Sequence, residues 1–166
     1  MEHLRHLFKY DNWANSKVID ALDAAASVKS LRILAHILIT KQEYFERLSG
    51  KDSTGFDFWP DLTLAECAQL SVSTNAAYAG LLSDADDSVL DNIAAYKTSE
   101  GVPYENTWRE LLTHVLLHSS IHRGNIVLKM REEGFEPPKV DYIVYLRERN
   151  DSGSDSGEVQ RSVPSA

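Results

Sequence analysis

Apolar residues recur at helical spacing in four long stretches of the chain, and this periodicity constrains the fold more than any other feature of the sequence. The first stretch predicts an amphipathic helix of about six turns, with Asp11 and Asn15 close to its inner face. The second predicts a helix that begins near Ser27 or Ser30 as the N-cap and ends at Gly50. Such a chain must bury its apolar stripes helix against helix.

Two capping boxes mark the starts of the other long helices. Thr63-Leu-Ala-Glu66 opens a third helix that should run to about Leu82. Thr107-Trp-Arg-Glu110 opens the last and longest helix, which should end at Gly134. Because glycine weakens a helix interior, Gly124 within this helix predicts close packing against a neighbouring helix.

The segments between and after these helices complete the predicted fold. Residues 93–97 and 102–105 flank Thr98-Ser-Glu-Gly101 and predict a small β-hairpin. Pro137 and Pro138 stop helical structure, so the segment that follows them should pack back over the helices. The expected fold class is all-α, a four-helix bundle with a small β-hairpin before its last long helix.

The charge balance excludes several classes of function. Lys and Arg total 17 and Asp and Glu total 25, a net charge of -8 without a basic block, which argues against a nucleic-acid-binding surface. The longest apolar runs are short and bounded by polar residues, so no membrane span is expected. We therefore expect a cytoplasmic protein with neither nucleic-acid nor membrane partners.

Composition also divides the chain into two parts. Residues 150–166 consist mostly of Ser, Asp, Gly, Glu, Gln and Pro, which predicts a disordered polar tail. Residues 1–149 contain no internal repeat and no second hydrophobic block behind a linker, so they should form one helical domain. The functional residues are expected within that domain.

Histidines dominate the candidate functional residues, because Cys67 is the single cysteine and a cysteine-based zinc site is excluded. His118 and His122 are four residues apart on the last long helix, so both imidazoles can reach one ion from the same face. His36, on the second helix among aliphatic residues, is the candidate third ligand. Taken alone, a histidine among aliphatic residues, such as His36, is more often a core histidine that makes one hydrogen bond than a metal ligand.

Other side chains leave the coordination shell open to alternatives. His114 is a candidate fourth ligand, a hydrogen-bonding neighbour of the ligands or a polar residue at the bundle edge, and Asp11 or Glu43 could also close the shell. Without a fourth ligand, three neutral histidines leave an open position, which is typical of a catalytic metal site. Arg123 follows His122 but points about 100° away around the helix, which predicts a structural ion pair. No motif identifies a catalytic residue.

Five sequence blocks together resemble a known family. In chain order they are Tyr10-Asp-Asn-Trp-Ala-Asn15, the Leu-Ala-His-Ile block around His36, Tyr96-Lys-Thr-Ser-Glu-Gly101, the block from His114 to Gly124, and Asp141-Tyr-Ile-Val-Tyr-Leu-Arg-Glu148. In order and spacing they resemble the DinB family of damage-inducible bacterial proteins, over residues 1–148. One departure is Asn125, where the family often has Gln.

The resemblance implies a four-helix bundle of the DinB/YfiT-like type, often dimeric, that holds a divalent metal ion with three histidines. Matched position by position, the ligands fall on His36, His118 and His122. Imidazole suits zinc, nickel and iron, so the identity of the metal stays open. Relatives in the family include transferases and isomerases that use bacillithiol or mycothiol.

Three functional hypotheses follow. The favoured one is a metal-dependent transferase or hydrolase that acts on a small molecule, with a low-molecular-weight thiol as candidate cosubstrate. The second is a metal-binding stress protein without turnover, which would have the histidines but no pocket beside the metal. The third is a helical interaction module in which the histidines are core residues. A homodimer is the expected assembly.

Overall fold

Five α-helices and one β-hairpin are built by residues 1–25 and 27–154, which the computed structural model describes. The elements in chain order are α1 (Glu2–Ala25), α2 (Val28–Leu48), α3 (Leu64–Ser83), a short 3₁₀ helix (Asp87–Asp91), β1 (Ile93–Lys97), β2 (Pro103–Thr107), α4 (Trp108–Glu132) and α5 (Tyr142–Ser154). The mainly helical fold class with a hairpin before the last long helix is confirmed. No helix among these residues is both long and apolar enough to cross a membrane.

Local capping explains where the bundle helices begin and end. Ser27 is the N-cap of α2, since its Oγ accepts a hydrogen bond from an amide three residues later at 3.2 Å. Thr63 and Thr107 each form the complete predicted capping box at the start of α3 and α4. Gly50 and Gly134 follow α2 and α4 with φ of 70° and 82°, a conformation that favours glycine and stops a helix.

The hairpin is a two-stranded antiparallel sheet. Ile93 pairs with Thr107 and Lys97 with Pro103, so the second strand begins one residue later than predicted. Gly101 lies in the turn with φ of 82° and donates its amide to the Thr98 carbonyl at 2.8 Å. The hairpin leads directly into α4 and thereby lies over one end of the bundle.

The four long helices pack so that neighbours in space are not always neighbours in sequence. Helix α2 lies mainly against α4 and α3, whereas α1 lies mainly against α3 and, less extensively, α4. Two apolar clusters result. One includes Val18, Leu22, Leu34, Leu38, Cys67, Ile126 and Met130, and the other includes Phe8, Leu48, Tyr78, Leu82, Leu111, Leu112 and Val115.

A buried polar layer separates the two apolar clusters. Each of the four helices contributes to it: Asp11 and Asn15 on α1, Thr40, Lys41 and Glu43 on α2, Ser71 and Thr74 on α3, and Ser119 and Arg123 on α4. Burial of polar groups is costly unless they are bonded, so such a layer is retained for structure or for function. The candidate site lies at this level.

Three details differ from the sequence predictions. After Pro137 and Pro138 the chain forms a fifth helix, and it packs against α1, where the Tyr10 hydroxyl donates to the Val140 carbonyl at 2.8 Å. Gly124 is exposed, and a Cβ added there would meet no neighbouring atom within 4 Å, so the predicted close packing is wrong. Of the predicted polar tail, residues 150–154 continue α5 and residues 155–166 lie outside the described residues.

Candidate metal centre

Three histidines from two helices converge in the polar layer. His118 and His122 lie one turn apart on α4, and His36 faces them from α2. One ring nitrogen of each lies within 4.8 Å of the others, and the Nε2 atoms of His36 and His118 are 3.1 Å apart. This is the arrangement expected of side chains that can share one ion, and the histidines are those named from the sequence.

A loop fixes the orientation of His36. Its Nδ1 lies 2.6 Å from the backbone carbonyl of Phe58, and because a carbonyl only accepts hydrogen bonds, Nδ1 carries the proton. The lone pair is then on Nε2, the atom that faces His118. The indole of Trp59 stacks on the imidazole, with ring centroids 3.9 Å apart and planes 4° apart. The residues that follow α2 therefore hold His36 ready to bind.

The electrostatic environment keeps the three imidazoles neutral. Burial, reinforced by the neighbouring histidines, lowers the pKa of His118 to about 3. Burial also lowers the pKa of His36, although the hydrogen bond to the Phe58 carbonyl opposes this effect. The pKa of His122 is lowered by burial and by the nearby His36. Because a metal binds the neutral imidazole, all three side chains are in the binding form near neutral pH.

The donor set fits a divalent cation. Three neutral imidazole nitrogens suit zinc, nickel or iron. His118 Nδ1 is buried and has no hydrogen-bond partner among the described residues, so the ring gains little from its present surroundings. His36, moreover, is not isolated in an apolar core, because its Nε2 faces His118. The three histidines are thus positioned to hold a metal ion.

The other candidate ligands lie outside this group. His114 stacks on Tyr44 with ring centroids 4.7 Å apart, and its own centroid is 5.6 Å from that of His118. Glu43 is bound to Arg47. Among the described residues, the set whose ligand atoms come together contains His36, His118 and His122 and no carboxylate.

Asp11 belongs instead to a buried ion-pair cluster beside the histidines. Lys41 Nζ donates to its Oδ2 at 2.6 Å, and Arg123 Nη1 donates to its Oδ1. Arg123 Nη1 also donates to Asn15 Oδ1 at 3.0 Å. The prediction of a structural ion pair for Arg123 is therefore confirmed, and Asp11 and Asn15 lie on the inner face of α1 as expected.

Comparison with known proteins agrees with this architecture. The model of the DinB family matches residues 1–154. The chain belongs to the DinB family. A curated protein of Bacillus subtilis (strain 168), named "Protein DinB", is 26% identical over 165 residues, covering 84% of this chain and 91% of its own length.

A solved structure supports the fold of this DinB family member. The crystal structure of a DinB-like protein from Bacillus cereus ATCC 10987 matches with a TM-score of 0.66 and 21% identity. The match covers 85% of this chain and 97% of that chain. At this identity the likeness concerns the fold.

A cleft of about 590 Å³ opens beside the histidines in this DinB protein. His36 and His118 share its walls with further residues of α2 and α4, with Phe58 and with the hairpin; these include Thr40, Glu43, Tyr44, Arg47, Tyr96, Tyr104, Asn106 and His114. Sequence reasoning did not assign Thr40 or Arg47 to a site. Their spacing from His36 was a usable signal, because positions 36, 40, 43 and 47 fall on one helical face.

Proposed function

We propose that the protein binds a divalent metal ion through His36, His118 and His122 and is a metal-dependent transferase or hydrolase that acts on a small molecule. The observation that carries the proposal is the cleft beside the three histidines, with two of them in its wall. A protein that only stores or carries a metal has no need of such a space. The cleft therefore favours a reaction over metal binding alone.

The dimensions and lining of the cleft support a small-molecule substrate. Its volume of about 590 Å³ falls within the roughly 300–1,000 Å³ of typical ligand sites. Tyr44, Tyr96 and Tyr104 provide apolar surface, while Glu43, Arg47 and Asn106 provide polar groups. A low-molecular-weight thiol is the proposed cosubstrate, as the family resemblance suggests.

The chain's own residues would position the reacting molecule. His36, His118 and His122 would hold the metal and leave room for a further ligand, so that the metal would lower the pKa of a bound water or stabilise an anionic oxygen or sulfur atom. The Phe58 carbonyl and the Trp59 ring hold His36 in one orientation. The aromatic walls of the cleft exclude water from one side of the bound molecule.

Metal analysis of protein purified without a histidine tag tests the first half of the proposal. The wild type should hold about one equivalent of a divalent metal, and each of His36→Ala, His118→Ala and His122→Ala should lose most of it. His3→Ala, which changes an exposed histidine on α1, is the matched control and should keep the metal. Full metal content in a His118→Ala, His122→Ala double variant would refute the assignment.

A panel of thiol-conjugation and amidase assays tests the second half. Turnover that requires the metal and disappears in His118→Ala supports an enzyme. A metal-loaded protein that turns over no member of the panel supports metal binding without catalysis.

A further inference from the structure

The cleft contains two buried polar atoms that nothing in the described residues satisfies. Glu43 Oε2 and the Thr40 hydroxyl both lack a hydrogen-bond partner there. Both side chains are at least nine-tenths buried, with exposures of 0% and 4%. Buried polar groups without partners are uncommon and costly, so a carboxylate oxygen left in this state points to a ligand or to chemistry.

Helix geometry places these atoms on the side of α2 that carries His36. Thr40 and Glu43 follow His36 by four and seven residues and line the same cleft. Side chains lean toward the N-terminus of their helix, so Glu43 leans toward Thr40, and Thr40 toward His36. The two atoms are not bonded to each other, so both are available to a molecule that occupies the cleft beside the histidines.

The other oxygen of Glu43 is already engaged. Arg47 Nη2 donates to Oε1, and the guanidinium carbon lies 4.6 Å from the Tyr44 ring centroid and 4.3 Å from that of Tyr96. The two tyrosine rings hold the Arg47 guanidinium, which in turn fixes the Glu43 carboxylate. Glu43 Oε2 is left as an acceptor without a partner among the described residues. The groups that face the pair are Tyr44 on α2, Tyr96 on β1 and His114 on α4.

Burial gives Glu43 an unusual acidity. Desolvation raises the pKa of its carboxyl from 4.5 to about 7, against the opposing effect of Arg47. A carboxyl group that titrates near neutrality can both take and return a proton under ordinary conditions.

We propose that Glu43 is the proton-exchanging residue of the cleft, which takes a proton from an O–H, S–H or N–H group of a small molecule held at His36, His118 and His122. The bond between the proton and the heteroatom breaks, and the electron pair stays on the heteroatom. A new O–H bond forms on Glu43 Oε2. Arg47 remains charged beside it. This inference rests on the proposed metal site.

The experiment counts protons released when zinc-loaded protein binds acetohydroxamic acid, a small metal-binding probe that loses its own O–H proton on binding. Isothermal titration calorimetry at pH 8 in buffers of different ionisation enthalpy gives that count. At pH 8 the Glu43 carboxyl is mostly ionised before binding, and the anionic probe beside it should hold the transferred proton there. The wild type should therefore release about one proton fewer than Glu43→Gln, a difference in which the water or hydroxide displaced from the zinc cancels.

Two further variants keep the experiment decisive. Glu43→Gln leaves Arg47 buried without its partner and can fail to fold, whereas Glu43→Met combined with Arg47→Met removes both charges and should also release about one proton more than the wild type. Glu46→Gln changes an α2 carboxylate that pairs with Lys51 outside the cleft, and should keep the wild-type count.

The outcomes separate this inference from the proposed function. The same proton count in the wild type and both Glu43 variants overturns the role of Glu43 and leaves the metal site standing. Absence of zinc from the wild type removes the metal site itself.

Discussion

Two buried clusters on the same helices differ in how their polar atoms are used. The Asp11 cluster comprises Asp11, Asn15, Lys41 and Arg123, and its central carboxylate receives a cation at each oxygen. The histidine cluster comprises His36, Thr40, Glu43, His118 and His122, and its carboxylate has one oxygen, Glu43 Oε2, without a partner in the described residues. Nitrogen atoms without a partner there occur in both clusters, on His118 and on Arg123, so the difference concerns the carboxylates. Neighbours in sequence belong to different clusters, since His122 and Arg123 diverge by about 100° around α4.

The comparison separates structural burial from functional burial. Both clusters contain a buried carboxyl group, yet the pKa changes run in opposite directions. At Asp11 burial is the largest single effect and raises the pKa, but the two cations of Lys41 and Arg123 together outweigh it, so the pKa is lowered. At Glu43 burial outweighs the one cation of Arg47, so the pKa is raised. A carboxylate with two cations stabilises the bundle, and one with an oxygen left over is available for chemistry.

The largest expected effect is the removal of the shared carboxylate. Asp11→Ala leaves Lys41 and Arg123 buried without their common partner, and should lower the free energy of unfolding by about 3–5 kcal/mol. Urea unfolding monitored by circular dichroism measures it. Arg109→Ala breaks the exposed pair with Asp91 and, as the control, should cost less than about 1 kcal/mol. Equal losses in the two variants would erase the distinction between buried and exposed pairs.

Removal of metal should have the next largest effect, and it acts on the histidine cluster alone. A ligand that binds only the folded state at a hundredfold excess over Kd adds roughly 2.7 kcal/mol, so a chelator should lower the melting temperature of the wild type. His118→Ala should melt at the same temperature with and without chelator. His3→Ala should keep the wild-type response, and a wild-type response in His118→Ala would contradict the prediction.

The pH dependence of stability should have opposite signs at the two carboxyl groups. Because the pKa of Asp11 is lowered in the folded state, its contribution to the free energy of unfolding is present above pH 3.8 and is lost as the pH falls through the lower folded-state pKa. Because the pKa of Glu43 is raised in the folded state, its contribution to the free energy of unfolding is present below pH 4.5 and is lost as the pH rises through about 7.

Urea unfolding of chelator-treated protein between pH 2 and pH 8 resolves these two windows. Asp11→Asn should weaken the acid-side dependence, to which Glu66 and Glu110, also of lowered pKa, contribute as well. Between pH 4.5 and about 7 the lowered pKa values of the histidines make stability rise with pH, so Glu43→Gln, which removes the opposing carboxyl group, should steepen that rise. If Glu43→Gln instead retains the wild-type slope in that range, the Glu43 carboxyl does not titrate there.

The smallest expected effect is at Thr40. Its hydroxyl is buried without a partner among the described residues, so Thr40→Val should leave the free energy of unfolding unchanged or raise it by up to about 1 kcal/mol. Thermal unfolding of chelator-treated protein measures it. Ser71→Ala on α3 is the contrasting variant. Ser71 is also small and buried, but its hydroxyl accepts a hydrogen bond from Asn75, so its removal should be destabilising. A clear loss of stability in Thr40→Val would show that the hydroxyl has a bonded role.

Much of the fold was predictable because its signals are local. The Thr63 and Thr107 capping boxes, the terminal Gly50 and Gly134 and the hairpin turn depend on a few consecutive residues, and all occur as predicted. The fifth helix was missed because Pro137 and Pro138 dominated that segment. It begins only after Asp141, whose carbonyl accepts from the amides of Val144 and Tyr145.

The sequence by itself determined which helices form and that His118 and His122 share a face, since both follow from hydrogen bonds and side-chain directions repeated every turn. Only the tertiary structure decided that His36 meets them, that the Phe58 carbonyl orients its ring, and that Asp11 pairs with Arg123 across 112 residues. It also decided that one oxygen of Glu43 has no hydrogen-bond partner among the described residues. These contacts join distant segments, and their geometry depends on how whole helices pack, which periodicity does not encode.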